Sequence, residues 1–357
     1  MRRASRAAMS AAMGGALRAK VALVAGATRG TGRGIAEALG EAGATVYCTG
    51  RSTRADPGRG QGAGAPFDLA HRPETIEETA ERVTALGGEG IAVKVDHLEA
   101  AQVEALAARI RAERGGLDVL VNDVWGGDAL IEFGAAAWEL EPDKVFRMVE
   151  TVLRTHVLTL RHALPLLLAR GAGLVVEVTD GDFPGYRGML GYDLAKVIPV
   201  RLALAVACDL RARGHDRITA LAVTPGYLRS EGMLDLHGVT EETWREAAER
   251  VPFFSESETP RYVGRGVAAL AADPGAGALA GQVLASWTLA RRYGHTDLDG
   301  RQPDFHAVFS AAVARISAAG PASEDERQWL EYRRQQLEGD PAGATERQAI
   351  AAALARP

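Results

Sequence analysis

Residues 21–34 read VALVAGATRGTGRG, an apolar run that breaks at Gly26 into a glycine-punctuated turn. VALVAG (21–26) has no polar alternate, as a strand covered on both faces requires. The turn Gly26-Ala27-Thr28-Arg29-Gly30-Thr31-Gly32 then opens the helical pattern GIAEALGEAG (34–43). Strand, glycine turn and helix in that order aim main-chain N–H groups and the positive end of a helix dipole at an anion. The stretch predicts the first βα unit of a doubly wound sheet, with a dinucleotide phosphate at its turn.

Six further runs read as buried strands: TVYCT (45–49), IAVKV (91–95), DVLVN (118–122), LVVEV (174–178), ITALAV (218–223) and QVLAS (282–286). Amphipathic stretches such as AAQVEALAARIRAE (100–113) separate most of them. Alternating strand and helix implies right-handed crossovers and a parallel sheet with helices on both faces. The fold class is therefore α/β: a single Rossmann-like doubly wound domain with a seven-stranded parallel sheet over 19–302. Residues 1–18 read as a disordered tail. STRADPGRGQGAGAP (52–66) reads as a mobile loop, and 303–357 as a C-terminal helical extension. Ser323–Glu326 and Thr345–Gln348 fit capping boxes that open helices in that extension. No chemistry is legible there.

With 357 residues, 47% of them hydrophobic, the chain can bury a sizeable core. A net charge of −5 without basic runs argues against nucleic acid as a partner. No apolar run approaches the roughly 20 residues that span a bilayer, so no membrane partner is expected. Cys48 and Cys208 lack CxxC neighbours and are expected as buried reduced thiols, consistent with a cytoplasmic protein. His156 and His162 are six positions apart, which does not align two imidazoles on one helical face, so no metal site is expected.

Tyr192 and Lys196, four positions apart, share a helical face. A free phenol is a poor acid–base group at neutral pH, with a pKa of about 10. A neighbouring ammonium favours its phenolate and makes it a better proton donor.

The Gly-x-x-x-Gly-x-Gly spacing with this later Tyr-x-x-x-Lys resembles the short-chain dehydrogenase/reductase superfamily, classical type. Asp96 closing the third strand, Asn122 ending the fourth and Pro225-Gly226 following the sixth match the family in order. LARRYGHTDLDGR (289–301) and FSESET (254–259) ahead of VAALAADP (267–274) resemble the branch of dehydrogenase/reductase family member one.

That resemblance implies a nicotinamide cofactor held by Gly26, Thr28, Arg29, Gly30, Thr31, Gly32, Arg51, Ser52, Asp96, Asn122, Tyr192, Lys196, Pro225 and Gly226. An acid at the end of the second strand would bind a free ribose 2′-hydroxyl, but Gly50 stands there. Arg51 follows it and Arg29 lies in the turn, so two guanidinium groups can chelate a 2′-phosphate. NADP(H) is expected over NAD(H).

The family also places a serine hydroxyl thirteen residues before the tyrosine, which is Thr179 here (192 − 179 = 13); a loop one residue shorter would place Asp180 there. A threonine hydroxyl can donate to a carbonyl oxygen and stabilise the developing oxyanion. An ionised aspartate only accepts. Thr179 is the expected functional hydroxyl, with Asp180 a substrate contact or a perturber of its neighbours. The family's asparagine near residue 152 is absent from Glu150-Thr151-Val152-Leu153. Its Asn-Asn-Ala-Gly motif reads Asn122-Asp123-Val124-Trp125, setting an indole toward the pocket.

The family uses the segment at about 226–263 as a lid. Met233, Leu234, Leu236, Trp244, Phe253 and Phe254 there, with Trp125, suggest an apolar or ring-containing small-molecule substrate. The expected activity is carbonyl–alcohol interconversion by hydride transfer, with Tyr192 as general acid/base in a homodimer or homotetramer. The altered serine and asparagine positions motivate an alternative: a dinucleotide-binding sensor or non-redox enzyme with little ordinary redox activity.

Overall fold

The computed structural model describes residues 15–56 and 72–356. Seven strands form one parallel sheet in the order β3-β2-β1-β4-β5-β6-β7. They are β1 (Val21–Ala25), β2 (Thr45–Gly50), β3 (Glu89–Lys94), β4 (Val119–Asn122), β5 (Gly173–Val178), β6 (Ile218–Thr224) and β7 (Val283–Ala285). Between them run α1 (Gly30–Glu41), α2 (Ile76–Ala85), α3 (Ala100–Arg114), α4 (Pro142–Arg170) and α5 (Leu190–Ala212). The lid segment carries α6 (Glu231–Leu236) and α7 (Trp244–Ala248), and α8 (Pro260–Ala272) and α9 (Ser286–Tyr293) flank β7.

β1 shows why its sequence has no polar alternate. Ala22 and Val24 face one layer, with Ile35 and Leu39 of α1 and Val263 and Val267 of α8. Val21 and Leu23 face the other, with Leu106 and Ile110 of α3 and Leu160 and Leu167 of α4. The alternation of side chains along a strand sends neighbours into different cores. Both cores are apolar, so the run is continuous.

The helix layer under the glycine turn is set by backbone contact. A Cβ on Gly34 of α1 would lie 2.2 Å from the carbonyl carbon and oxygen of Pro260. One on Gly264 of α8 would lie 2.4 Å from the Gly34 carbonyl oxygen. The two helices touch main chain to main chain.

α10 (Phe305–Ala319), α11 (Glu324–Gln336) and α12 (Ala344–Leu354) form the C-terminal extension around Phe309, Val313, Ile316, Leu330 and Ile350. Ser323 caps α11 by accepting the Glu326 N–H, as the capping box predicts. α12 instead starts one residue before Thr345, with Gly343 at its cap, because the chain enters it through a turn.

Two expectations need correction. Leu17, assigned to the tail, is buried in the main core, and its N–H donates to the Ala42 carbonyl. Cys208 is exposed on α5, whereas Cys48 is buried. Most of the loop read at 52–66, and residues 1–14 of the tail, lie outside the described residues. No helix among the described residues is long and apolar enough to cross a membrane.

Overpacking a site bounded by backbone, which cannot rotate away, costs about 1–3 kcal/mol. Gly34→Ala should therefore lower stability by about that amount in urea denaturation, while Gly87→Ala, where a Cβ meets nothing, probes only the positive φ of 105°.

Candidate functional site

The strand order reverses between β1 and β4, which opens a crevice at the carboxyl ends of the strands. A cavity of about 690 Å³ occupies it. Gly26, Thr28, Arg29, Gly30, Thr31, Arg51, Ser52, Asp96 and Lys196 all line this cavity, as do Asp123, Trp125 and Asp128. Gly26 has φ +90°, and a Cβ there would lie 2.3 Å from the Asp123 carbonyl oxygen. A Cβ on Gly32 would lie 2.3 Å from the Gly26 carbonyl oxygen. No larger residue fits at either position, and the first turn of α1 is left facing the cavity.

That turn already holds an anion. The Gly30 N–H donates to Glu231 Oε2 at 2.8 Å, and Arg33 Nη1 lies 3.6 Å from Glu231 Oε1. Four residues on, Asp235 Oδ2 accepts from Arg72 Nη1 at 2.6 Å. Arg72 also grips Glu74 through Nε and Nη2, and it lines the cavity beside Arg29 and Arg51. Arg29 Nε lies 3.4 Å from Glu74 Oε2, and Arg51 Nη1 lies 4.0 Å from Asp96 Oδ2. Sequence reasoning missed Arg72, Glu231 and Asp235. Their only signal was acids spaced for one helical face, directly after Ser230.

Tyr192 and Lys196 lie in the first turns of α5. The Tyr192 hydroxyl donates to Asp180 Oδ2 at 2.7 Å. Lys196 Nζ sits 4.0 Å from the centroid of the Trp125 ring, whose Nε1–H donates to Asp128 Oδ1 at 2.7 Å. Trp125 meets Tyr192 edge-on, with centroids 5.6 Å apart. Leu130, Met148, Val152 and Ala195 pack beneath both rings.

The structure engages Thr179 and Asp180 differently: Thr179 bonds main chain and Asp180 is the residue that perturbs Tyr192. The Thr179 hydroxyl is buried and donates to the Lys196 carbonyl at 2.6 Å, so it staples β5 to α5. Asp180, one residue further along, reaches Tyr192.

The expected electrostatics change with it. Burial, then the charge of Asp180, push the Tyr192 hydroxyl well above its ordinary range. Burial also lowers the Lys196 ammonium, opposed by Asp180, Asp123 and Asp128. Burial carries the Asp123 carboxyl up to about 7 against the pull of Lys196 and His156. An ammonium beside a phenol does not by itself make the phenol acidic. Here a carboxylate is closer.

Other expected residues lie apart from the cavity. Asn122 is fully buried, and its Nδ2 donates to Glu177 Oε1 at 2.8 Å. Glu177 Oε2 in turn meets His156 Nδ1 at 2.6 Å, so Asn122 and His156 belong to a polar link inside the core. Among the described residues no three metal-ligating side chains cluster. Pro225-Gly226 leaves β6 beside the site, and Gly226 is hemmed in by Glu258 and Trp287. Within the lid, Met233 lines the cavity. Trp244 and Phe254, expected toward substrate, instead form the lobe's own core with Val239 and Ala247, and Arg229 stacks 4.1 Å over Trp244.

The C-terminal extension also reaches the site, which the sequence did not signal. The Tyr186 N–H donates to the Gln335 carbonyl, docking α11 on the loop between Asp180 and Tyr192. The Tyr332 hydroxyl is close enough to Asp180 for that carboxylate to raise it, second to burial.

A family model described as Enoyl-(Acyl carrier protein) reductase matches residues 26–286. Dehydrogenase/reductase SDR family member 1 of Mus musculus is 32% identical over 288 residues, 79% of this chain and 84% of that protein. A putative NAD(P) dependent gluconate 5-dehydrogenase from Beutenbergia cavernae, solved with bound NADP at low occupancy, superposes with a TM-score of 0.57. It is 26% identical and covers 77% of this chain and 98% of its own. A putative dehydrogenase from Xanthomonas campestris shares the fold, with a TM-score of 0.61, 24% identity and coverage of 81% of this chain and 94% of its own. With a parallel seven-stranded sheet, a glycine turn at its switch point and a Tyr–Lys pair beside it, this chain belongs to the short-chain dehydrogenase/reductase superfamily of oxidoreductases, whose fold binds a nicotinamide dinucleotide.

Proposed function

We propose that this protein is an NADP(H)-dependent oxidoreductase that interconverts a carbonyl and an alcohol, with Tyr192 as the general acid/base. The observation that carries the reading is that the glycine turn, Trp125 and Lys196 line one cavity, with the Tyr192 ring edge-on against that Trp125. The nicotinamide would supply or take up the hydride. The protein's part is to bind, orient and hold a proton at the Tyr192 hydroxyl. Gly26, Gly30, Thr31 and Gly32 would let the backbone approach the pyrophosphate. Glu231 on the Gly30 N–H supports this, because that N–H already donates to an oxyanion. Thr28, Ser52, Asp96 and Lys196 would meet the sugars and the adenine.

The preference for NADP(H) rests on the end of β2. Gly50 stands where an acid would select a free ribose hydroxyl, and a Cβ there would lie 2.5 Å from Thr28 Oγ1, so an acid at this position would have to displace the Thr28 side chain. Arg29, Arg51 and Arg72 line the same cavity. A guanidinium–phosphate pair is a charge-assisted contact. The apolar bed under Trp125 and Tyr192 supports an apolar or ring-containing substrate. Phe146, Leu153 and Val157 on α4, with Leu194 and Leu204 on α5, are exposed apolar side chains and support a homodimer or homotetramer.

Tyr192→Phe should cut turnover by about 10²-fold or more, the share a positioned acid contributes, and leave NADPH affinity nearly unchanged in a fluorescence titration. Arg51→Ala should weaken NADPH about tenfold, the weight of one charge-assisted bond, with NADH unaffected; equal losses for both cofactors would refute the 2′-phosphate assignment. Glu231→Ala should tighten NADPH several-fold, since the carboxylate competes for the same N–H group, and an unchanged or weaker affinity would exclude that competition.

A further inference from the structure

We infer that Asp180 selects a substrate carrying a protonated amine next to its reacting carbon, an amino alcohol or amino ketone with a ring or apolar body. The inference rests on the oxidoreductase reading above and names the substrate class for that same site.

The argument starts from who donates to whom. Among the described residues the one hydrogen bond made by the Tyr192 hydroxyl is its donation to Asp180 Oδ2. A neutral carbonyl oxygen arriving there would face a phenol whose proton points elsewhere and a carboxylate with no proton to give. The Thr179 hydroxyl that could donate in its place is buried and bonded to the Lys196 carbonyl. The ligand has to bring its own donor.

The charges around Tyr192 say which kind. Lys196 feels Asp180, Asp123 and Asp128, three acids from two different segments, of which burial raises Asp123 to about 7, and Arg187 is a further cation acting on it. Arg187 is engaged: Nη1 pairs with Asp193 Oδ1 at 3.0 Å, and Nε and Nη2 donate to the carbonyls of Asp180 and Gly181. Tyr332 of α11 adds a hydroxyl but no charge. The corner holding Tyr192 therefore has more acid than base.

An ammonium next to the carbinol carbon meets both conditions. It donates to Asp180 while the carbinol oxygen sits at Tyr192, two points separated by one carbon–carbon bond on the ligand and one hydrogen bond on the protein. The remainder of such a ligand lies against Trp125, which lines the cavity and packs edge-on against Tyr192. An ammonium–carboxylate hydrogen bond also adds directional preference that a neutral analogue lacks.

The test is calorimetric and needs no turnover. The full chain, both free and saturated with NADPH so that an alcohol cannot be oxidised, is titrated at pH 7 with 2-amino-1-phenylethanol and with 1-phenylethanol. The amino alcohol should bind at least about tenfold tighter to the wild type, the scale of one hydrogen bond to a charged group. Asp180→Asn should erase that ratio, and Asp180→Ser, which restores a donor, should erase it and, in the cofactor-free titration where no ketone can be reduced, favour acetophenone. Equal binding of the two alcohols, no binding of the amine, or a ratio that survives in both variants overturns the inference. Failure of NADPH to bind would instead strike the oxidoreductase reading, and the cofactor-free titration would still decide the amine.

Discussion

The site depends on one steric constraint: the backbone of the first turn lies directly on the end of β4. Gly26 touches the Asp123 main chain and Gly32 touches Gly26, so no side chain separates β1, β4 and the start of α1. That contact aims the first N–H groups of α1 into the crevice and places Asp123 and Trp125 on its far wall. A second contact of the same kind, Gly34 against Pro260 and Gly264, ties α1 to α8 and holds the turn from behind. Backbone packed on backbone cannot relax by rotamer changes, so the glycine turn is held tightly against the sheet.

Around this cradle the charges are arranged unusually for a Tyr–Lys pair. The phenol faces a carboxylate and an indole edge, and the lysine stacks on that indole rather than standing free. A low-dielectric corner strengthens each of these interactions. The proton on Tyr192 is therefore held by Asp180 until a ligand with its own positive charge or donor changes the balance. Glu231 plays a comparable part at the phosphate end, where it occupies an anion site that a dinucleotide would need. The same helix, α6, carries that carboxylate and Asp235, which accepts from Arg72, so the 226–263 segment is tied to the cavity wall at two points.

The C-terminal extension contributes more than bulk. It builds its own small core, yet α11 docks on the loop that carries Asp180 and brings Tyr332 toward the carboxylate. The lid meets the same extension through Phe253 against Trp329, with centroids 4.8 Å apart. The loop carrying Asp180, the 226–263 segment and the extension are consequently packed together.

Period and punctuation carried the sheet, its parallel sense, the glycine turn and the Tyr–Lys pair, because each is a local pattern: strands buried on two faces must be apolar throughout, and a helix puts residues four apart on one side. Those features were legible in the order of residues alone. The identity of the Tyr192 partner was not. Thr179 and Asp180 differ by a single step along the chain, and a strand sends adjacent side chains to opposite faces, so the choice rests on where β5 ends and α5 begins. Arg72, Glu231 and Tyr332 were equally out of reach, since they come to the crevice from segments far apart in sequence. Only the packing of lid and extension onto the sheet decides which charges meet, because electrostatic partners are chosen by distance in space and local patterns do not encode it.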